Sequence, residues 1–364
     1  MSAQLHVAVD VTQARINRTG VGRYASELLP RLRALEELAL TGLYAPSTTG
    51  EGRLGKLVEI LRRDAGYYPY GLSRAARAAG ARLIHCPAPA PVRSGALPLV
   101  VTVHDLLWMT LPQFFTAPVR AYHRASLHAV RSAACVIADS HHTRTDVIER
   151  LGIDEARVRV AWLAADTRFR PREVEREWLR ERFGIRGRYV LAVATREPRK
   201  NLVSLIAAFG RLAARVEDCE LVLVGGRGWR SAELERTLRA VGNRVLTCGF
   251  VSEGELVSLY AGAACFAFPS LGEGFGLPVL EAMACGVPVV TSDNTSLPEV
   301  AGEAALLVDP LDVEALADAL ARVLEDDELA ARLAHGGLQR STEFSWERCA
   351  RETLSAYRAA MRAE

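Results

Sequence analysis

The chain has 364 residues, 49% of them hydrophobic and 24% charged, which is too long for a single hydrophobic core and too apolar for a disordered or collagen-like chain. No apolar run approaches the ~20 residues that span a bilayer, MSAQLHVAVDV at the start lacks the parts of a signal peptide, and seven scattered cysteines with no C-x-x-C fit a reduced, cytoplasmic protein. The net charge of +2 hides an asymmetry: residues 1–170 carry 22 basic against 14 acidic side chains and the remainder 23 against 29, so the first half favours anionic partners, although without a Lys/Arg-rich run it gives no reason to expect nucleic acid.

Apolar runs of strand length alternate with helical patterns throughout. In the first half the spacing predicts strands at Leu5–Val9, Leu83–Cys86, Leu99–Val103 and Cys135–Ala138, with helices at about 22–37, 55–63, 71–79, 117–132 and 141–150. In the second half it predicts strands at Tyr189–Ala194, Leu221–Val224, Val245–Cys248, Cys265–Phe268 and Val287–Thr291, with helices at about 201–215, 231–241, 253–261, 278–285 and 312–324. Nearly all-apolar strands such as YVLAVA and PLVVTV read as parallel strands covered on both faces. The expected fold class is therefore α/β, with two Rossmann-like domains in series. The expected division is 1–170, a charged linker at 171–188, 189–343, and an amphipathic helix at 344–364 that is a candidate to dock back on the first domain. Open parallel sheets bind ligands at their strand carboxyl ends, here in a cleft between the two sheets.

The most informative stretch is FAFPSLGEGFGLPVLEAMACGVPVVTS, residues 266–292. A strand ending at Phe268 runs into a loop with Gly272, Gly274 and Gly276, and a helix follows with Pro278 in its first turn. Backbone N–H groups at Phe275, Gly276 and Leu277, with the positive end of the helix dipole, suit an anion or sugar hydroxyls. Glu273 and Glu281 flank that place, with seven residues between them. Arg199 and Lys200 follow the strand that starts at Tyr189, so they too project at a strand carboxyl end. Only two of the 45 basic residues are lysines, Lys56 and Lys200, which suggests that a compact ammonium is wanted at position 200.

Other candidates are less distinctive. His104 and Asp105 follow the strand Leu99–Val103 at its carboxyl end. His141 and His142 are adjacent and cannot form a chelate on one helix face. Asp326 and Asp327 read as a solvated helix or turn, so no metal site is expected. Gly20 and Gly22, in GVGRYA, are close in form to a dinucleotide fingerprint, yet they come about ten residues after the first strand instead of directly on it. A nicotinamide dehydrogenase is a poor reading. Between Arg53 and Arg77, Lys56, Arg62, Arg63, Arg74 and Arg77 mix with Tyr67, Tyr68 and Tyr70, which suits either anionic headgroups or a solvated helix face.

The pattern E-G-F-G-L-P-x-x-E-A-M-A-x-G-x-P-V-V resembles the donor-site signature of retaining glycosyltransferases of family 4, which have the GT-B architecture. ATREPRKNL (194–202), GGRGW (225–229), GFVSEGELVSLYAGA (249–263), SLPEVAGEAALLVDP (296–310), VHDL (103–106) and RTGVGRYASEL (18–28) extend the resemblance over nearly the whole chain, with bacterial mannosyltransferase-like members of polysaccharide biosynthesis the most similar. The resemblance implies Glu273 beside the donor sugar, Glu281 on the ribose hydroxyls, and Arg199 and Lys200 on the diphosphate. It also implies Gly22 near the donor phosphate or acceptor, the base near Gly249–Val251, and His104 near the donor sugar, with Gly20 and Asp105 on the acceptor side. The expected activity is transfer of a sugar, mannose first, from GDP-mannose or a UDP-sugar to a glycan or lipid-linked hydroxyl. No cofactor or metal is expected, and the expected location is the cytoplasm or the inner membrane face. A GT-B phosphorylase, an epimerase and an inactive nucleotide-sugar-binding module are the alternatives.

Overall fold

The computed structural model describes residues 4–12, 20–45, 58–216, 218–226, 228, 232–240 and 244–362. The chain divides into two compact units: Met1–Leu163 with Ser345–Glu364, and Ala164–Phe344. In the first, strands β1 (Leu5–Asp10), β2 (Leu38–Leu43), β3 (Leu83–Cys86), β4 (Leu99–Val103), β5 (Cys135–Ala138) and β6 (Val158–Val160) form one sheet in the order β2-β1-β3-β4-β5-β6. In the second, β7 (Arg188–Val193), β8 (Cys219–Val224), β9 (Val245–Gly249), β10 (Cys265–Phe268), β11 (Val289–Ser292) and β12 (Ala305–Val308) are ordered β12-β11-β10-β7-β8-β9. All ten strand pairings among the described residues are parallel.

The central strands β3, β4, β5 and β10 are buried at every position, which is why they read as nearly all-apolar runs, broken only by His85 in β3 and Thr102 in β4. Burying a Val, Leu, Ile or Phe side chain contributes about 1.5–3 kcal/mol, so these strands are the main anchors of each core. Sequence reading misses β2, β6 and β12. All three lie at sheet edges and are only partly buried, so they lack that signature.

The first crossing between units falls between Leu163 and Ala164, ahead of the expected 171–188 linker. That charged stretch contains the helix Arg176–Phe183, which turns Leu179 inward and stacks Trp178 edge-on to Phe183. One buried leucine among charges is too weak a pattern to announce a helix. A second unexpected helix, Asp327–Ser341, follows Asp326, whose carboxylate accepts from the Leu329 N–H at 2.9 Å. The Trp346–Arg362 helix packs on the Gly20–Arg33 helix and on β4 and β5, burying Trp346, Cys349 and Tyr357 completely or nearly so.

Candidate functional site

In the second unit the chain builds β7, moves outward through β8 and β9, and then returns to the other side of β7 with β10. The point where strand order reverses lies between β7 and β10, and ligands bind parallel sheets just beyond the strand ends there. The loops that leave these two strands carry Arg199, Lys200 and the glycine-rich stretch. They are tied together, since the Leu271 N–H and the Ser270 hydroxyl both donate to the Arg199 carbonyl, at 2.8 and 3.2 Å.

Four charges meet in this place. Lys200 Nζ lies 2.6 Å from Glu273 Oε1, Arg199 lies 3.0 Å from Glu273 Oε2, and Arg199 reaches Glu197 at 2.6 Å. The Ser270 hydroxyl also donates to Glu273 Oε1 at 2.6 Å. Burial pushes the Glu273 carboxyl up, but Arg199 and Lys200 outweigh it and hold the group at about 2. Burial pushes Lys200 down from the ordinary lysine range against the pull of Glu273; beside an ionised Glu273, the ammonium is the form that the geometry favours. The two cations differ in their remaining capacity. Arg199 also donates to the Gly272 carbonyl and fastens the loop. Lys200 donates to Glu273 over the Phe268 ring, 5.2 Å from its centroid, and no acceptor for its other two N–H bonds is found among the described residues. Those bonds remain for a ligand.

The loop ends in the helix Leu277–Ala284. Gly276 enters it at φ 124°, and a Cβ there would stand 2.9 Å from Leu297 Cδ2, so glycine is required. Among the described residues nothing accepts from the N–H groups of Phe275, Gly276 and Leu277, so three backbone donors stand together at the helix start. Gly274 lies between them and Glu273. Glu281 is 2% exposed and accepts from the Tyr260 hydroxyl at 3.0 Å, so it is not a surface helix residue. Val251 follows Gly249 and the exposed Phe250 at the end of β9, two strands from β7 and therefore about 10 Å along the sheet.

Sequence reasoning missed the residues that brace this loop. Thr295, a β-branched residue at φ 53°, accepts from the Glu273 N–H at 3.1 Å. Ser296 donates to the carbonyls of Glu273 and Phe275 at 3.0 and 2.6 Å. Positive φ at such a residue costs of order 1–3 kcal/mol, and its placement holds Glu273 in position. The turn Thr195–Pro198 is braced from the other side by Gly225, where a Cβ would lie 2.1 Å from the Ala194 carbonyl oxygen.

In the first unit, His104 leaves β4 and Asp139 leaves β5. His104 Nδ1 lies 2.5 Å from Asp139 Oδ2, and Nε2 lies 2.8 Å from the Pro87 carbonyl. Two acceptors facing one imidazole require a proton on each nitrogen or a shared proton on the carboxylate. Burial pushes His104 down, but Asp139 outweighs it and raises it above the usual range. Asp139 is raised by burial, against His104, and its Oδ1 is buried without a hydrogen-bond partner among the described residues. The carboxylate that orients the imidazole is thus Asp139. Asp105, expected on the acceptor side, accepts from the Leu107 N–H at 2.9 Å and shapes the turn. Behind His104, Tyr24 stands edge-on at 5.0 Å and begins a buried chain: Tyr24 to Thr102 at 3.0 Å, Thr102 to His85 at 3.0 Å, His85 to Tyr357 at 2.7 Å. Gly20 and Gly22 lie in the first turn of the Gly20–Arg33 helix, not in a loop between strand and helix.

Among the described residues there is no group of three or more His, Cys, Asp or Glu side chains placed to hold a metal ion, and no helix long and apolar enough to cross a membrane. Residues 18–169 match the sequence pattern of Glycosyltransferase Family 4, and residues 176–340 match that of Glycosyl transferases group 1. The chain is 34% identical to the O-antigen chain mannosyltransferase B of Escherichia coli, over 93% of this chain and 96% of that one. The chain belongs to glycosyltransferase family 4. Solved structures agree on the fold. A sucrose-phosphate synthase from Thermosynechococcus elongatus matches with a TM-score of 0.77 at 22% identity, covering 99% and 100% of the two chains. Anabaena HepE in complex with UDP and glucose matches at 0.74 and 19%, covering 98% and 99%. The two parallel six-stranded sheets are those of a GT-B glycosyltransferase.

Proposed function

We propose that this glycosyltransferase moves a sugar, mannose first, from a nucleoside diphosphate donor to a hydroxyl of a glycan or lipid-linked acceptor, with retention at the anomeric carbon and without a metal ion. The observation that carries this reading is Lys200, a mostly buried ammonium with two unassigned N–H bonds beside ionised Glu273. The diphosphate meets Lys200 and the free amides of Phe275, Gly276 and Leu277. As the bond from the anomeric carbon to phosphate oxygen breaks, the electron pair leaves on the phosphate and Lys200 stabilises it. The acceptor oxygen attacks the anomeric carbon from the same face and its proton passes to the departing phosphate oxygen. Glu273 accepts from a sugar hydroxyl and offsets charge on the oxocarbenium-like ring.

Glu281, aligned by Tyr260, takes the ribose hydroxyls, and the base extends toward Val251. Arg199 holds the loop that carries these contacts. In the first unit His104 supplies a fixed cation or, by releasing Pro87, a donor for a hydroxyl, while Asp139 positions it. GDP-mannose is the first choice of donor because the chain is similar to a mannosyltransferase over nearly its full length. A UDP-sugar is the second reading, since HepE is seen with UDP. The test is release of GDP from GDP-mannose in the presence of a glycan acceptor and excess chelator. Release that requires added Mg²⁺ or Mn²⁺ would overturn the metal-free reading, and release with a UDP-sugar alone would select the second donor.

A further inference from the structure

Two motifs of the sequence take no part in the chemistry above. The first part of the basic stretch from Arg53 to Arg77, Lys56 included, lies outside the described residues. The other motif, GVGRYA at residues 20–25, opens the Gly20–Arg33 helix. Its tyrosine, Tyr24, has no exposed surface and stands between two rings: His104, edge-on at 5.0 Å, and Trp346, at 6.3 Å and tilted by 46°. The Tyr24 hydroxyl is joined through Thr102 and His85 to the hydroxyl of Tyr357. These four side chains come from four elements, two helices and the strands β3 and β4, and none of them has exposed surface.

Packing alone does not call for this chain. An apolar side chain at position 85 or 102 would fill a strand buried on both faces without the cost of desolvating a polar group. Burial, with a smaller push from His104, keeps His85 neutral, and burial with Cys349 and Asp139 close by holds the Tyr24 phenol protonated, well above its ordinary range. Tyr24 therefore neither gives up a proton nor touches a substrate. What a satisfied buried network supplies is rigidity, and this one ends against His104. The imidazole needs that support. Asp139 and Pro87 fix its two nitrogens, but a hydrogen bond keeps most of its strength when bent by about 30°, whereas a catalytic group must be held to within roughly 10–20°. A packed ring removes the remaining tilt, because a gap of about 0.5–1 Å already forfeits about a quarter to a half of each contact.

We propose that Tyr24 is a positioning residue that sets the tilt of the His104 ring, and that the Trp346–Arg362 helix holds it there through Trp346 on one side and through Tyr357, His85 and Thr102 on the other. All of these contacts lie within the first unit. The consequence for sugar transfer rests on the reading of His104 given above; the orientation of the ring does not.

The test uses the full chain with Tyr24→Phe, which cuts the chain beside His104, and Tyr357→Phe, which cuts it at the far end. Both keep an aromatic ring in the core. In the ligand-free protein, each change should move the His104 ring resonances in NMR spectra, a readout that needs no turnover. With GDP-mannose as donor, each should lower kcat by about three- to tenfold, a fraction of the ~10²-fold that a misplacement of about 1 Å costs, and leave the donor KM unchanged. In a His104→Ala background neither should lower kcat further. Moved resonances with unchanged rates would support the positioning and refute the part of His104 in transfer. Unmoved resonances in either variant, the result of a purely architectural role, would overturn the proposal, as would a fall in kcat that persists at full size without His104. Should Tyr357→Phe fail to fold, Thr102→Val breaks the same chain at its middle and decides in its place.

Discussion

His104 and Asp139 leave adjacent strands one residue beyond the paired positions Val103 and Ala138, and this register brings the imidazole and the carboxylate to 2.5 Å. The pair keeps a proton that burial alone would remove. Asp139→Asn should therefore drop the His104 pKa below the ordinary imidazole value of about 6.5, as read from its ring resonances by NMR. The His104 contribution to stability, full below that value and lost as pH rises through its raised folded pKa, should vanish with it. An unchanged titration would show that Asp139 does not position the ring.

Lys200→Ala should lower kcat by about 10² to 10³, the usual cost of one preorganised charge contact of about 3–4 kcal/mol. Lys200→Arg should restore only part, because a planar fork does not fit the space of an ammonium 2.6 Å from Glu273 and over the Phe268 ring. Steady-state rates check both, and full activity in the arginine variant would refute the role of a compact cation.

Glu281→Gln should raise the donor KM while sparing kcat, by the loss of a charge-assisted hydrogen bond worth about 1.5–3 kcal/mol. Tyr260→Phe, which removes the hydroxyl that donates to Glu281 Oε2, should move KM in the same direction but less. If both variants change kcat alone, Glu281 does not act on the donor ribose.

His85 is completely buried, and burial, with a smaller push from His104, drives it down to about 3. Its facing partners, Tyr357 and Thr102, are neutral hydroxyls. The neutral ring is the folded form, so its contribution is full above the unfolded value of about 6.5 and declines as pH falls toward 3. Urea midpoints between pH 8 and 5 should show an acid-side loss approaching about 1.4 kcal/mol per pH unit, and His85→Gln should flatten it. Equal slopes for the two proteins would contradict this.

The charged cluster around the glycine loop was legible in the sequence because its parts are local: Glu273, the three glycines and Pro278 lie within seven residues, and Lys200 stands out by rarity. Strands buried on both faces were equally plain. What remained hidden depends on pairing across the sheet. Asp139 becomes a partner of His104 only once β4 and β5 are in register. Thr295 and Ser296 brace Glu273 only because β11 lies beside β10. Edge strands β2, β6 and β12 look outward on one side, and their mixed composition hides them.

The proposed function depends first on binding of a nucleoside diphosphate sugar by the second unit through Lys200. A thermal-shift screen of GDP-mannose and UDP-sugars on the wild type and on Lys200→Ala tests it directly. A ligand at 100 times its dissociation constant stabilises by about 2.7 kcal/mol. One such donor should raise the wild-type Tm, and Lys200→Ala should lose most of the shift at the same concentration. No shift with any nucleoside diphosphate sugar, or an equal shift in both proteins, would contradict it.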